Sequence, residues 1–352
     1  MRTHRVRCVD VHVYPIVSTF SKAPTMTKIA YPLTLLSVML ACSLLTALAH
    51  ARARVFVASY GNDANPCTFG SPCKTFQQAV NVVAAGGEVT AIDSAGFGPI
   101  NITKPVTITS PDGVEAGIVP NPGSPAISIN TTGDVFLRGL TIEGNDSGTD
   151  GITLSSAATL GIIHCVIRHF THDGIYLQPT DSMKLSILET VASNNGNDGI
   201  DLSPSGNSAG LFGVIDHTTA SSNAVDGINV WGANSFPNSI NPVNLLFITI
   251  INSVVSTNGA NGVKAHSAQS TIPLFVMVRD TAASANGNDG FFFDAGDYGF
   301  ATMALGHSVA VANINHGVEN NSSSTFSTYN DNNVGFNIGG DTSGTLSVTS
   351  FH

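Results

Sequence analysis

Apolar residues in the second half of the chain alternate with polar ones in short runs, each placed just after a glycine. Ile152 and Leu154, Ile175 and Leu177, Ile200 and Leu202, and Ile228 and Val230 are four such pairs. Alternation puts both members of a pair on one face of a strand, facing a core. The glycines in front of them and of their looser copies are Gly151, Gly174, Gly199, Gly227, Gly262, Gly290, Gly317 and Gly335, at intervals of 23, 25, 28, 35, 28, 27 and 18 residues. A soft period in the twenties marks a solenoid. Four residues before the glycine stands a second column, Asn195, Asn223, Asn258, Asn286 and Asn313. One amide per coil predicts an asparagine ladder, each side chain bonding to the next at the strand spacing. Leu-x-x-Leu-x-Leu repeats are absent, and a propeller blade needs about 40 residues. The pattern predicts an all-β chain, a right-handed parallel β-helix of roughly ten coils spanning residues 100–352.

The stretch before residue 100 reads differently. Arg54–Ser59 is a short strand, and a turn-rich loop follows. Phe76, Ala79, Val80 and Val83 have helical spacing and precede Gly86-Gly87, which predicts one short helix ending there. Residues 54–99 are therefore expected to form an N-terminal cap.

Composition adds compartment and charge. Met26 and Lys28 open a 21-residue uncharged run, Ile29–Ala49, followed by small-x-small sites at Ala47–Ala49 and Ala49–Ala51. This is the layout of a secretory signal peptide over 26–53, with Met26 as the true start and residues 1–25 a misassigned one. The competing reading is a single membrane anchor; after cleavage no span remains. A secreted, periplasmic or cell-surface location follows. Beyond Arg54 the chain has 23 acids and seven bases, a net charge of −16. Nucleic acid is excluded as a partner, and a polyanionic glycan needs a bridging cation. In an oxidising compartment Cys67 and Cys73 are expected to form a disulfide, with Cys165 a buried thiol. Oligomeric state is not legible.

The cysteine-bearing segment ANPCTFGSPCKTFQQAV, the NxxDGI turns and the asparagine column together resemble bacterial exported right-handed β-helix repeat proteins of the pectin lyase-like superfamily, over about residues 55–350. That resemblance implies the fold. The superfamily spans lyases, hydrolases, epimerases, adhesins and proteins without known activity, so it leaves function open.

The register lines up candidate chemistry at positions expected to face outward. One residue before the glycine stand Asp150, Asp173, Asp198, Asp226, Asn261, Asp289 and His316; two after it stand Tyr176, Asp201, Asn229, Lys264, Phe292, Glu319 and Asn337; four after it stand Trp231, His266 and Asp294. Asp-Gly is ordinary turn chemistry, with glycine at positive φ. Yet Asp173, Asp198 and Asp226 on consecutive coils should repel, which invites a shared proton or Ca²⁺. A glycosidase would draw its two carboxyls from Asp198, Asp201 and Asp226. Asn-Asp-Gly-Ile-Asp resembles the NTDGID segment of the polygalacturonase family, which implies a catalytic role for Asp198. That family's adjacent Asp pair is missing here, its GHG is echoed only by His316, and its RIK only by Lys264. A lyase would use Lys264 as base with Ca²⁺. Trp231, Tyr176 and His266 are expected to offer sugar-binding surface, and the insertion at 232–244 a groove wall. The reading is an exported β-helix that binds or processes a carbohydrate polymer; the alternative is a non-catalytic structural or adhesion solenoid.

Overall fold

The structure is a computed structural model that describes residues 52–205, 210–232, 245–267, 273–296, 301–322 and 325–349. The expected leader and start, and the insertion from 233 to 244, lie outside the described residues. Within them the chain winds as a parallel β-helix whose three faces are a 12-stranded sheet and two 10-stranded sheets. Each strand pairs with the strand one coil away, and the pairing is parallel throughout. Short strands at a fixed period can satisfy their backbone groups only against neighbouring coils, so the repeat dictates the stack.

The alternating pairs meet as expected. Ile175 pairs with Ile200 and Ile200 with Ile228; Leu177 pairs with Leu202 and Leu202 with Val230. All six are fully buried. They fill the interior from one face, while Leu185, Ile187, Leu211 and Ile215 enter from the 12-stranded sheet.

One helix occurs among the described residues, Phe76–Val82, with Thr75 as its N-cap accepting from the Gln78 N–H at 3.1 Å. It buries Phe76, Ala79 and Val80, and Phe76 packs on Phe97 with ring centroids 4.9 Å apart. The helix ends before Gly86-Gly87, earlier than the glycine signal implied. Val83 is already extended and opens the strand Val83–Ala91, which pairs with Arg52–Val57 at Val83 and again from Glu88 to Ala91, its register shifting across the two glycines in between. Sheet pairing there outweighs the local stop signal. Cys67 and Cys73 form the expected disulfide, both fully buried. Cys165 is a buried free thiol, pushed up to about 11 by burial.

The asparagine ladder is present and longer than the sequence pattern showed. Nδ2 of each member donates to Oδ1 of the next: Asn195 to Asn223 (3.0 Å), Asn223 to Asn258 (3.1 Å), Asn258 to Asn286 (3.1 Å), Asn286 to Asn313 (2.9 Å) and Asn313 to Asn337 (2.9 Å). Asn337 therefore belongs to the ladder and not to the outward column assigned to it. Gly335 is not the turn glycine of the last coil: it pairs with Val311 on another sheet, and His316 pairs with Gly340. That last interval is 24 residues, matching the others, with Asp341 in the glycine's place.

The role of the turn glycines also differs from the expectation of positive φ. Gly174, Gly199 and Gly227 are absent from the positive-φ positions, which fall at other corners, on His164, Asn194 and His217 among others. Gly199 is required by close approach instead. A Cβ there would sit 2.6 Å from Asn223 Nδ2 and 2.7 Å from the Gly227 carbonyl oxygen. The ladder and the next coil leave no room for a side chain.

Candidate functional site

The acids before the turn glycines form a second ladder beside the amides. The N–H of Asp173 donates to Asp150 Oδ1 (3.2 Å), that of Asp198 to Asp173 Oδ1 (2.9 Å), that of Asp226 to Asp198 Oδ1 (2.8 Å) and that of Asn261 to Asp226 Oδ1 (2.9 Å). The row continues through Asp289, whose N–H donates to Asn261 Oδ1 at 3.2 Å, and His316, whose N–H donates to Asp289 Oδ1 at 2.8 Å. Sequence register aligned these residues, but placed them on an outward surface. They are instead buried: Asp173, Asp198 and Asp226 expose 6, 4 and 1% of their surface. Each carboxylate reaches under the next coil to meet a backbone donor, and that burial takes it out of water.

Burial sets their titration. It raises Asp173, and it pushes Asp198 up to about 8, with Asp226 and Asp173 adding repulsion. Asp201 is pushed up to about 6 by burial, partly offset by a hydrogen bond from Ser203 Oγ at 2.5 Å. Acids crowded at strand spacing in a dry environment cannot all ionise at once.

The adjacent column holds Tyr176, Asp201, Asn229 and Lys264. Tyr176 pairs with Asp201, Asp201 with Asn229, Asn229 with Lys264 and Lys264 with Phe292. Lys264 Nζ lies 3.5 Å from Asp226 Oδ2 and is partly exposed, so it bridges the buried acids and the surface. Asn229 Nδ2 donates to Asp201 Oδ1 (3.3 Å), while its own Oδ1, buried, has no hydrogen-bond partner. An orphaned buried carbonyl oxygen in the same column as the Asp201 carboxylate is a group that a bound cation would satisfy.

Two residues further along the strands, Trp231 pairs with His266 and His266 with Asp294. Trp231 and His266 meet edge to face at 5.0 Å, and His266 Nδ1 is 3.6 Å from Asp294 Oδ2. Burial lowers the His266 imidazole, against the pull of Asp294. Asp198, Asp201, Asp226 and Lys264 thus converge, with Trp231 and His266 flanking them in the next column. Tyr176 lies one coil before Asp201, away from the tryptophan, and burial raises its phenol.

One grouping escaped the sequence. Asp289, His316 and Glu319 bring a carboxylate, an imidazole nitrogen and a second carboxylate within 4.8 Å of one another and can hold a metal ion. The signal was available: His316 and Glu319 are three apart, directly after an Asp in the preceding coil's column.

Two surface depressions lie off this face. One, of about 490 Å³, is lined by Gly96, Glu115, Gly117, Glu143 and Arg168; the other, of about 520 Å³, by His169, Asn194, Asn195 and Ser222. Burial would raise Glu143, but hydrogen bonds from Arg168 (2.8 Å) and His169 (2.7 Å) bring it below the usual range. A carboxylate locked in its charged form is a poor proton donor. His164 and His217 are corner residues paired with acids, His164 with Glu189 and His217 with Asp216.

Residues 106–245 match the family model described as the right handed beta helix region. No curated protein sequence matches the chain. Among solved structures, a pectate lyase, Pel9A, is similar at 15% identity and TM-score 0.59, over 85% of this chain and 78% of that one. A rhamnogalacturonan lyase is similar at 16% identity and TM-score 0.58, over 75% of each chain. An alginate lyase from Paenibacillus sp. is similar at 13% identity and TM-score 0.54, over 84% of this chain and 99% of that one. The fold is the right-handed parallel β-helix. No helix among the described residues is long and apolar enough to cross a membrane.

Proposed function

We propose that this protein acts outside the cytoplasm on an acidic polysaccharide, cleaving it by β-elimination on the face that carries Asp198, Asp201, Asp226 and Lys264. In this reading Met26 starts the chain, 26–53 is a leader, 54–99 caps the helix, and 100–352 is the catalytic solenoid. The observation that carries the proposal is the 3.5 Å approach of Lys264 to buried Asp226, in the same column as Asp201 and Asn229. Elimination needs a base for the proton α to a uronate carboxylate and positive charge to offset that carboxylate. Lys264 is the base, placed at the boundary of solvent and the buried acids. Asp226 orients the Lys264 amine, whose neutral form takes the α proton; the carbon–oxygen bond to the leaving sugar then breaks as the ring double bond forms, and the departing oxygen is protonated from solvent. Trp231 offers an apolar ring for a sugar face.

The face is too acidic to receive a polyanion unaided. Its oxygen donors suit a hard cation: carboxylates of Asp198, Asp201 and Asp226 with the orphaned Oδ1 of Asn229. Calcium held there would supply the charge that pairs with substrate carboxylates. Asp173 stands one coil before Asp198 in the same row and gives its Oδ1 to the Asp198 N–H and to Asn197 Nδ2 (2.7 Å), the pattern that Asp226 repeats with Asn261. The similar structures named above are lyases of acidic glycans by name, which agrees with this choice.

Glycoside hydrolysis is the second reading, favoured by the proton that Asp198 keeps up to about pH 8, as a general acid would. Its burial and its bond to the Asp226 N–H argue for a supporting role instead. A panel of acidic and neutral glycans, with and without Ca²⁺, separates the readings. New double bonds seen by ultraviolet absorbance support elimination. Reducing ends without them support hydrolysis, and silence across the panel supports a structural or adhesive solenoid.

A further inference from the structure

The polar row on the site face does not end at Lys264. Its column passes from Lys264 to Phe292 and Glu319 on the next two coils, and the acid row beside it passes from Asn261 to Asp289 and His316 on those same coils. Lys264 and Glu319 are two strand spacings apart, roughly 10 Å. This second cluster differs in chemistry from the first because it contains an imidazole. His316 Nδ1 is 3.0 Å from Glu319 Oε2 and 3.4 Å from Asp289 Oδ1. Asp289 is fully buried, while His316 and Glu319 are each about four-fifths buried at the side chain. Both carboxylates are oriented from outside the cluster. Asn288 Nδ2 donates to Asp289 Oδ2 (2.9 Å) and Asn315 Nδ2 to Glu319 Oε2 (3.0 Å). Such outer hydrogen bonds fix ligand geometry at metal sites. On the following coil His316 is paired with Gly340, where a Cβ would come within 3.4 Å of the imidazole ring.

We propose that Asp289, His316 and Glu319 form a second cation site, for a borderline divalent ion such as zinc, separate from the oxygen-only set at Asp201. Three converging ligands, one nitrogen and two oxygens, match the donor preference of zinc. Calcium takes oxygen ligands and has no use for the imidazole. Three protein ligands also leave a coordination position open, as in sites that bind an exchangeable oxygen ligand. The site joins two coils, since Asp289 comes from one and the other two ligands from the next.

The competing state is an imidazolium held between two carboxylates with no metal. Calorimetric titration of the metal-stripped full chain with Zn²⁺ alone and Ca²⁺ alone distinguishes them. Expected are one Zn²⁺ per chain, a loss of affinity of about 10-fold or more in both His316→Gln and Glu319→Gln, and no loss in His266→Gln. Absence of zinc binding, or binding that persists in His316→Gln, overturns the proposal. A second readout needs no variant: zinc should protect His316 of the native chain from acylation by diethyl pyrocarbonate, followed by peptide mass, and an unprotected His316 overturns it. Neither measurement involves glycan, so failure here leaves the lyase reading standing, and the reverse.

Discussion

Asp198 Oδ1 accepts the N–H of Asp226 at 2.8 Å, one coil further along the solenoid. This bond makes the acid column part of the scaffold. It also forces carboxyls into a buried row, where burial and mutual repulsion push Asp198 up to about 8. Structure and candidate chemistry share the same side chains.

A pH dependence of stability follows. An unfolded aspartate titrates near 3.9. Asp198 in the fold titrates at about 8 and Asp201 at about 6, both raised. Below the unfolded value both states are protonated, and the contribution is fully present. As pH rises the unfolded chain ionises first, so the contribution is lost between about 4 and 8 for Asp198, and between about 4 and 6 for Asp201. Without divalent cations, the melting temperature should fall from pH 5 to pH 8. Asp198→Asn keeps the Oδ1 acceptor and should flatten that slope. An unchanged slope in the variant would show that Asp198 does not hold the proton.

The amide ladder should respond to a single deletion. Asn258 Oδ1 accepts from both the N–H and Nδ2 of Asn223, while its Nδ2 donates to Asn286 and to the Ala220 carbonyl. Asn258→Ala leaves buried donors unmet and should cost about 2–3 kcal/mol in denaturant unfolding. Asn337→Ala, at the less buried end of the same ladder, should cost less.

Gly199→Ala should destabilise by about 1–3 kcal/mol through overpacking, because the new methyl meets Asn223 Nδ2 and the Gly227 carbonyl. Gly86→Ala has open space around it but a φ of 76°, so any cost there is conformational. Comparing the two by thermal melts separates steric need from backbone need.

Calcium should raise the melting temperature at pH 8 more than at pH 5, since it competes with protons for the same carboxylates. Asn229→Leu removes the orphaned oxygen and should weaken this response by about 10-fold in the calcium midpoint. An equal response in variant and native chain would remove Asn229 from the cation set.

Much of this arrangement was legible in the chain. Period-two alternation around Ile200 and Leu202 gave the buried face, and a constant offset from the turn glycine gave the amide ladder and aligned the acids. Two things hid. Asp-Gly in sequence looks like a solvent-facing turn, so nothing local says that Asp198 and Asp226 lie under the next coil; that follows only from stacking. The final coil carries Asp341 where the others carry glycine, so the register slipped to Gly335 and Asn337 was misplaced. The convergence of Lys264 on Asp226 also spans one coil, with an interval of 35 residues between their turns, a separation no local motif encodes.

The most direct test of the central claim is the rate of double-bond formation on an acidic polysaccharide panel with Ca²⁺, with the native chain measured beside Lys264→Met. The account predicts calcium-dependent absorbance growth on at least one polyuronate, and a loss of about 10²-fold or more in the variant while its circular dichroism and melting stay native. Activity that survives in Lys264→Met, or a native chain that forms no double bonds on any polyuronate, would contradict it.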